Sequence, residues 1–228
     1  MTSPLVSTGT ASLGELLRRR LRELGRTPED LAEAVQVPAH YIADLMAGTR
    51  RPPLPARTDI YPKMTSFLRL GRNVIIACAD AERAGTASSK RSGPGIRVRT
   101  QLLALCEPGT ARALERRARR GNAELVGFFQ RVLDVTQGAV RRALDDQIAL
   151  RLAAAERGRT YVAIRFAMLE FLDATAGTLT VQHLSDYLRP RVARWDVDLD
   201  TGVLRVVLRA GPRDRTPKRE PDETRHDD

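Results

Sequence analysis

Up to residue 190 the apolar residues of this chain recur at helical spacing, and only beyond it do they alternate. That change of period constrains the fold more than any other feature of the sequence. Leu13, Leu16, Leu17, Leu21 and Leu24 lie three or four apart, with Arg18, Arg19, Arg20 and Arg22 between them. A second helical region opens at Leu102–Leu105 and continues through 111–120, 123–135, 139–156 and 161–174. Gly121, Gly138, Gly158 and Gly177 read as its punctuation. Beyond Pro190, Trp195, Val197 and Leu199 alternate with Asp196, Asp198 and Asp200, and Leu204, Val206 and Leu208 alternate with Arg205, Val207 and Arg209. A tight turn at Thr201-Gly202 pairs Leu199 with Leu204, Val197 with Val206 and Trp195 with Leu208 on one face. It sets Asp198 opposite Arg205 on the other. The prediction is a mainly α chain: an N-terminal helix-turn-helix domain, then a C-terminal helical domain ending in a β-hairpin.

Composition divides the chain. Gly85 to Gly95 (GTASSKRSGPG) is small, polar and rich in Gly and Ser, the composition of a linker. Gly211 to Asp228 holds no aliphatic residue and reads as a disordered tail. The expected organisation is a domain over 12–84, a flexible linker over 85–96, a domain over 97–210 and a tail over 211–228.

Apolar residues make up 42% of the chain, enough for a packed core. The formal charge is +10, and every basic residue is arginine except Lys63, Lys90 and Lys218. The whole excess lies in the first 158 residues, whereas 159–228 are balanced. Such a balance favours a polyanionic partner such as nucleic acid. The longest apolar run, Val74 to Ala79, falls far short of the roughly 20 residues of a membrane helix. The N-terminus carries no basic stretch followed by an apolar one, so no signal peptide is expected. Cys78 and Cys106 have neither zinc spacing nor the density of a disulfide scaffold, which points to a reducing cytoplasm. His40, His183 and His226 lack ligand spacing, so no metal is expected. The run Asp196 to Gly202 fails as a calcium loop, with its glycine misplaced and Val207 where a closing Glu belongs. No nucleophile elbow, phosphate loop or dinucleotide fingerprint is present, so neither catalysis nor a cofactor is expected.

Thr27 to Pro52, TPEDLAEAVQVPAHYIADLMAGTRRP, is the most informative segment. Thr27 can cap a helix, Pro28 suits its first turn and Asp30 completes a short capping box. Leu31 and Val35 face inward, and Ala32 is small enough to let another helix cross closely. After a short turn at Gln36-Val37, a second helix starts near Pro38, buries Ile42 and Leu45 and stops at Gly48. The pattern is helix, tight turn, helix.

This segment resembles the helix-turn-helix of the Xre family of Cro-type repressors. Leu31-Ala32, Val37, Ile42, Leu45, Gly48 and the closing Arg50-Arg51-Pro52 carry the likeness, which covers about residues 13–70. The chain departs from the family at Pro28, where Gln is usual, and at Gln36, where the turn usually has Gly. It departs again at Met46, commonly acidic, and at Pro38, commonly a Ser or Thr cap. The resemblance implies that the second helix enters the major groove. The base-reading candidates are then Ala39, His40, Tyr41, Ala43 and Asp44, and Arg50 and Arg51 are placed to meet phosphates. It implies a DNA-binding transcriptional regulator, cytoplasmic and on the nucleoid when bound. Such a regulator is expected to be a homodimer on double-stranded DNA, with a C-terminal domain for a protein partner or a small effector. The alternative is a protein-interaction or antitoxin-like module with a degenerate helix-turn-helix.

Two further features stand outside that segment. Arg116, Arg117, Arg119 and Arg120 read as a solvated helix face or a second phosphate contact. A helix at 181–188 followed by the hairpin is similar in order to a winged helix. Its strand is acidic where a wing on DNA should be basic, so a structural or dimer-forming role is expected.

Overall fold

The computed structural model of the protein describes residues 12–71, 73–85 and 93–209. Most of the expected linker and the whole expected tail lie outside the described residues. The architecture is mainly helical, with a two-stranded antiparallel hairpin at its C-terminal end.

Among the described residues, five α-helices and a short 3-10 turn at Pro55–Arg57 form the N-terminal part: α1 (Leu13–Leu24), α2 (Pro28–Val35), α3 (Ala39–Ala47), α4 (Ile60–Phe67) and α5 (Val74–Gly85). The capping signals act as their chemistry dictates. Ser12 and Glu15 form a reciprocal capping box on α1, and Thr27 and Asp30 form one on α2. The α5 carboxylate of Glu82 accepts a further hydrogen bond from the Leu13 amide (3.0 Å), tying the fifth helix to the first. Arg20 donates to the carbonyls of Leu68 and Arg69 (2.7 and 3.1 Å), where α4 ends and its dipole is negative. Helix α1 crosses α3 closely at Gly14, because a Cβ there would collide with the backbone carbonyl of Met46. Leu31, Val35, Ile42 and Leu45 are buried beneath α2 and α3.

The C-terminal body contains α6 (Ile96–Leu103), α7 (Pro108–Ala118), α8 (Ala123–Leu144), α9 (Gln147–Glu156), α10 (Tyr161–Asp173) and α11 (Val181–His183). A π-turn over Leu184–Leu188 leads into β1 (Val192–Val197) and β2 (Leu204–Leu208). Helix α8 runs through Gly138, which was expected to interrupt it. Leu133, Thr136, Gln137 and Val140 are buried around that glycine, and their packing outweighs its low propensity. The break falls instead at Asp145-Asp146, where the Asp146 carboxylate accepts the Ala149 amide (2.9 Å) and starts α9. Gln137 is buried in the middle of α8 and donates to the carbonyls of Phe171 and Ala174 (2.7 and 2.8 Å), capping the end of α10.

The hairpin keeps Trp195, Val197, Leu204 and Val206 on the expected inner face, but Leu208, expected there too, is exposed, and the register differs. Val197 pairs with Leu204, Trp195 with Val206 and Asp196 with Arg205, and a bulge follows Val192. The cause is Asp198. Its carboxylate accepts the amides of Asp200 and Thr201 (2.9 and 3.2 Å), which winds 198–203 into a wider loop than a two-residue turn. The shift is by two residues, so the inward side of β1 is unchanged and Trp195 stays inward, while Val207 and Leu208 at the end of β2 are both exposed. Trp195 is fully buried. Its Nε1 donates to the Leu102 carbonyl (2.8 Å), and its ring meets Phe129 edge to face at 6.0 Å. The backbone of Trp195 also bonds to Leu105 and Glu107, so β1 is held on both edges.

Candidate nucleic-acid interface

The α2–α3 pair is joined by three residues, Gln36 to Pro38. Gln36 adopts the left-handed conformation (φ 60°), which normally favours glycine. Its strain is offset by its partners. Arg165 of α10 donates from Nε to the Gln36 carbonyl and from Nη2 to the Val35 carbonyl, both at 3.2 Å. The Gln36 side-chain oxygen accepts from Lys63 Nζ (3.0 Å) and from the Tyr161 hydroxyl (3.4 Å). The turn is therefore built jointly by α4 and by a helix about 125 residues further along.

Arg165 is 0% exposed and reaches Asp59 with Nη2 at 2.6 Å. Its Nη1 has no hydrogen-bond partner among the described residues. Burial acts to raise the Asp59 pKa. The hydrogen bonds and charges of Arg165 and Lys63 outweigh it and hold the carboxyl below its ordinary value.

The candidate base-reading residues separate into two groups. Ala39, His40 and Ala43 lie exposed on α3 and Asp44 is half-buried. The Asp44 carbonyl accepts the amides of Thr49 and Arg50 at the end of the helix. Tyr41 does not share their face. It is buried because Phe166 of α10 packs edge to face on it at 5.7 Å, while Arg50 covers the ring at 5.0 Å. Burial also pushes the Tyr41 hydroxyl well above its ordinary pKa. The ring of His40 meets Phe166 edge to face at 5.3 Å. The Tyr41 side of α3 thus abuts α10, His40 stays exposed at the edge of that contact, and the side that carries Ala39 and Ala43 is open.

The two phosphate candidates also differ. The Arg50 guanidinium lies over the rings of Tyr41 and Phe166 and donates to Glu170 Oε1 at 3.2 Å. Arg51 is exposed and donates to the Arg83 carbonyl at 3.1 Å. Arg83 in turn pairs with Asp173 at 3.3 Å and donates to the Pro52 carbonyl. Burial raises the Asp173 pKa, and the charge of Arg83 opposes that shift. Arg57 pairs with Asp134 of α8 at 2.6 Å.

No family model matches the chain, and none of the curated proteins or solved structures compared with it is similar. Nor is any helix among the described residues long and apolar enough to cross a membrane.

Among the described residues, four arginine–carboxylate pairs cross from the N-terminal part to the C-terminal body: Arg50–Glu170, Arg57–Asp134, Arg83–Asp173 and Arg165–Asp59. In three of them the arginine belongs to the N-terminal side. Phe166, Glu170 and Arg165 lie far along the chain from the 27–52 segment, so that segment alone does not point to them. One signal was present. The run Tyr161 to Asp173 is apolar nearly all round, so a charge at Arg165 in its middle must be buried and paired. Elsewhere, Arg116, Arg119 and Arg120 are exposed, and Arg117 pairs with Glu124 at 3.1 Å.

Proposed function

We propose that the protein is a sequence-specific DNA-binding transcriptional regulator whose contact with DNA runs through α3 and the Arg50-Arg51 segment. The observation that carries this reading is the α2–α3 pair. Its inward residues are buried, its joining turn is short, Ala39, His40 and Ala43 face water, and Arg51 stands exposed just beyond Gly48. The net charge of +10 supports it. The likeness to the Xre family gives α3 the major groove and gives the arginines the phosphates. The regulator acts in the cytoplasm, on the nucleoid. It works as a homodimer, since two half-sites gain affinity without a new type of contact. The C-terminal body receives the protein partner or small effector. With Tyr41 buried, base contact falls to Ala39, His40, Ala43 and Asp44, a face poor in long donors, so duplex shape contributes to recognition.

The test is binding to random and selected duplexes over a range of salt. Replacing Arg50 and Arg51 together with Ala should weaken binding to all sequences alike and flatten the log–log salt slope by about two. His40→Ala should leave that slope in place and cost preference for the selected site by about 1–3 kcal/mol if a good base contact is lost. A wild-type protein that binds no duplex more tightly than its charge alone dictates would leave the interaction-module reading, which the donor-poor face of α3 favours.

A further inference from the structure

We propose that Glu170, backed by Phe166, is an intramolecular competitor for DNA at Arg50. This inference rests on the regulator reading, since it concerns the same arginine. A guanidinium binds a carboxylate and a phosphate with the same donors and similar geometry. Glu170 therefore fills the role at Arg50 that a DNA phosphate would fill. The 3.2 Å contact directs the side chain toward α10, and the rings of Tyr41 and Phe166 at 5.0 and 5.6 Å hold it there. Phe166 also lies against His40, so one residue of α10 touches a base-reading candidate and a phosphate candidate at once.

The contact is built to be exchanged. Arg50 and Glu170 keep 29% and 38% of their side chains in water, so duplex phosphates can reach the pair. Ion pairs of this kind are weak and screened by salt. Helix α10 itself is fixed by the buried Arg165, so the exchange needs one arginine side chain to turn and no separation of the two parts. The chain then carries a constant penalty against binding to any duplex, outweighed only where other contacts hold the protein on the DNA.

The experiment measures the affinity of the full chain for a random duplex against salt, in four proteins: wild type, Glu170→Gln, Arg50→Ala, and the double variant. Glu170→Gln is nearly isosteric at a half-exposed site, and its folding is checked by thermal melting. It should bind about threefold to fivefold tighter near 0.1 M salt, with a salt slope steeper by about one. In the Arg50→Ala background the same substitution should change nothing. If Glu170→Gln leaves affinity unchanged, the inference fails. If it tightens binding equally in both backgrounds, Glu170 acts as a general negative charge and the inference also fails. In either case, loss of affinity in Arg50→Ala would keep the regulator reading standing. If none of the four proteins binds a duplex beyond simple charge attraction, both fall together.

Discussion

Arg165 and Arg50 cross the same boundary in opposite directions. Arg165 leaves α10, enters the N-terminal helices and is fully buried against Asp59 and the carbonyls of Val35 and Gln36. Arg50 leaves the end of α3, meets Glu170 on α10 and remains partly in water. Both are arginine–carboxylate pairs, yet their surroundings give them different energetics. A buried guanidinium that loses its partner leaves an uncompensated charge, whereas a wet one returns to solvent at little cost. Helix α10 is thus fixed at one point and exchangeable about one turn away.

The largest expected effect lies at the fixed point. Arg165→Met should destabilise the fold by about 3–5 kcal/mol, because Asp59 would remain partly buried and the carbonyls of the turn would lose their donor. Urea unfolding of the purified chain measures this. Adding Asp59→Asn to that variant should cost much less than it does in the wild type, since the pair is lost only once. A loss below about 1 kcal/mol for Arg165→Met would mean that the two parts of the chain do not depend on this contact.

Acid sharpens the same point. The folded-state pKa of Asp59 is depressed, so its stabilising contribution is fully present above the unfolded value near 3.9 and is lost as pH falls through the folded value. Asp173 runs the other way. Its folded pKa is raised by burial, so protonation relieves a penalty as pH falls through that raised value. In Arg165→Met the Asp59 carboxyl keeps its burial and loses its main partner, so its pKa should rise. Acidification should then cost the variant less stability than it costs the wild type, so the gap between the two proteins narrows as pH falls. Unfolding free energies collected between pH 3 and 7 would show the narrowing, and a gap that stays constant would assign the acid sensitivity elsewhere.

A smaller effect tests whether α3 is held as firmly by its own helices as by α10. Gly14 lets α1 approach the Met46 carbonyl, and Ala there has no space. Gly14→Ala should cost about 1–3 kcal/mol, the usual range for overpacking, even though Ala is the better helix former. A neutral or stabilising result would show that α3 yields toward α10 when it is pushed.

These contrasts mark how far the sequence could be followed. Period-3.6 and period-2 patterns depend on near neighbours, so the helices, the inward residues of α2 and α3 and the inward face of Trp195 were legible. The hairpin register was not, because it turns on one carboxylate, Asp198, that chose a wider loop. Gly138 misled because a glycine's local cost is small beside the packing of its neighbours in α8. Tyr41 misled for a different reason. Its exposure depends on Phe166 and Arg50, and α10 lies more than a hundred residues away in the chain. Gln36 was visible as the residue standing where a turn glycine is usual, and the fold shows what replaces that glycine: a left-handed glutamine whose carbonyl and side chain are both bonded.

The smallest expected effect on stability belongs to the exchangeable contact. Glu170→Gln and Arg50→Ala should each change the unfolding free energy by less than about 1 kcal/mol, because both side chains stay partly in water and surface pairs contribute little. Arg50→Ala is the larger of the two, since it also removes the cation over the rings of Tyr41 and Phe166. The difference between them should persist in high salt. Salt screens the attraction to Glu170, whereas the contact of the flat guanidinium with two aromatic faces depends chiefly on packing and short-range attraction. Unfolding of the two variants in low and high salt separates these contributions. If Glu170→Gln destabilised as much as Arg165→Met, the carboxylate would be a second fixed point of α10. Arg50 would then be a structural residue of the closed chain, and Arg51 would be the one arginine after α3 left to meet a phosphate.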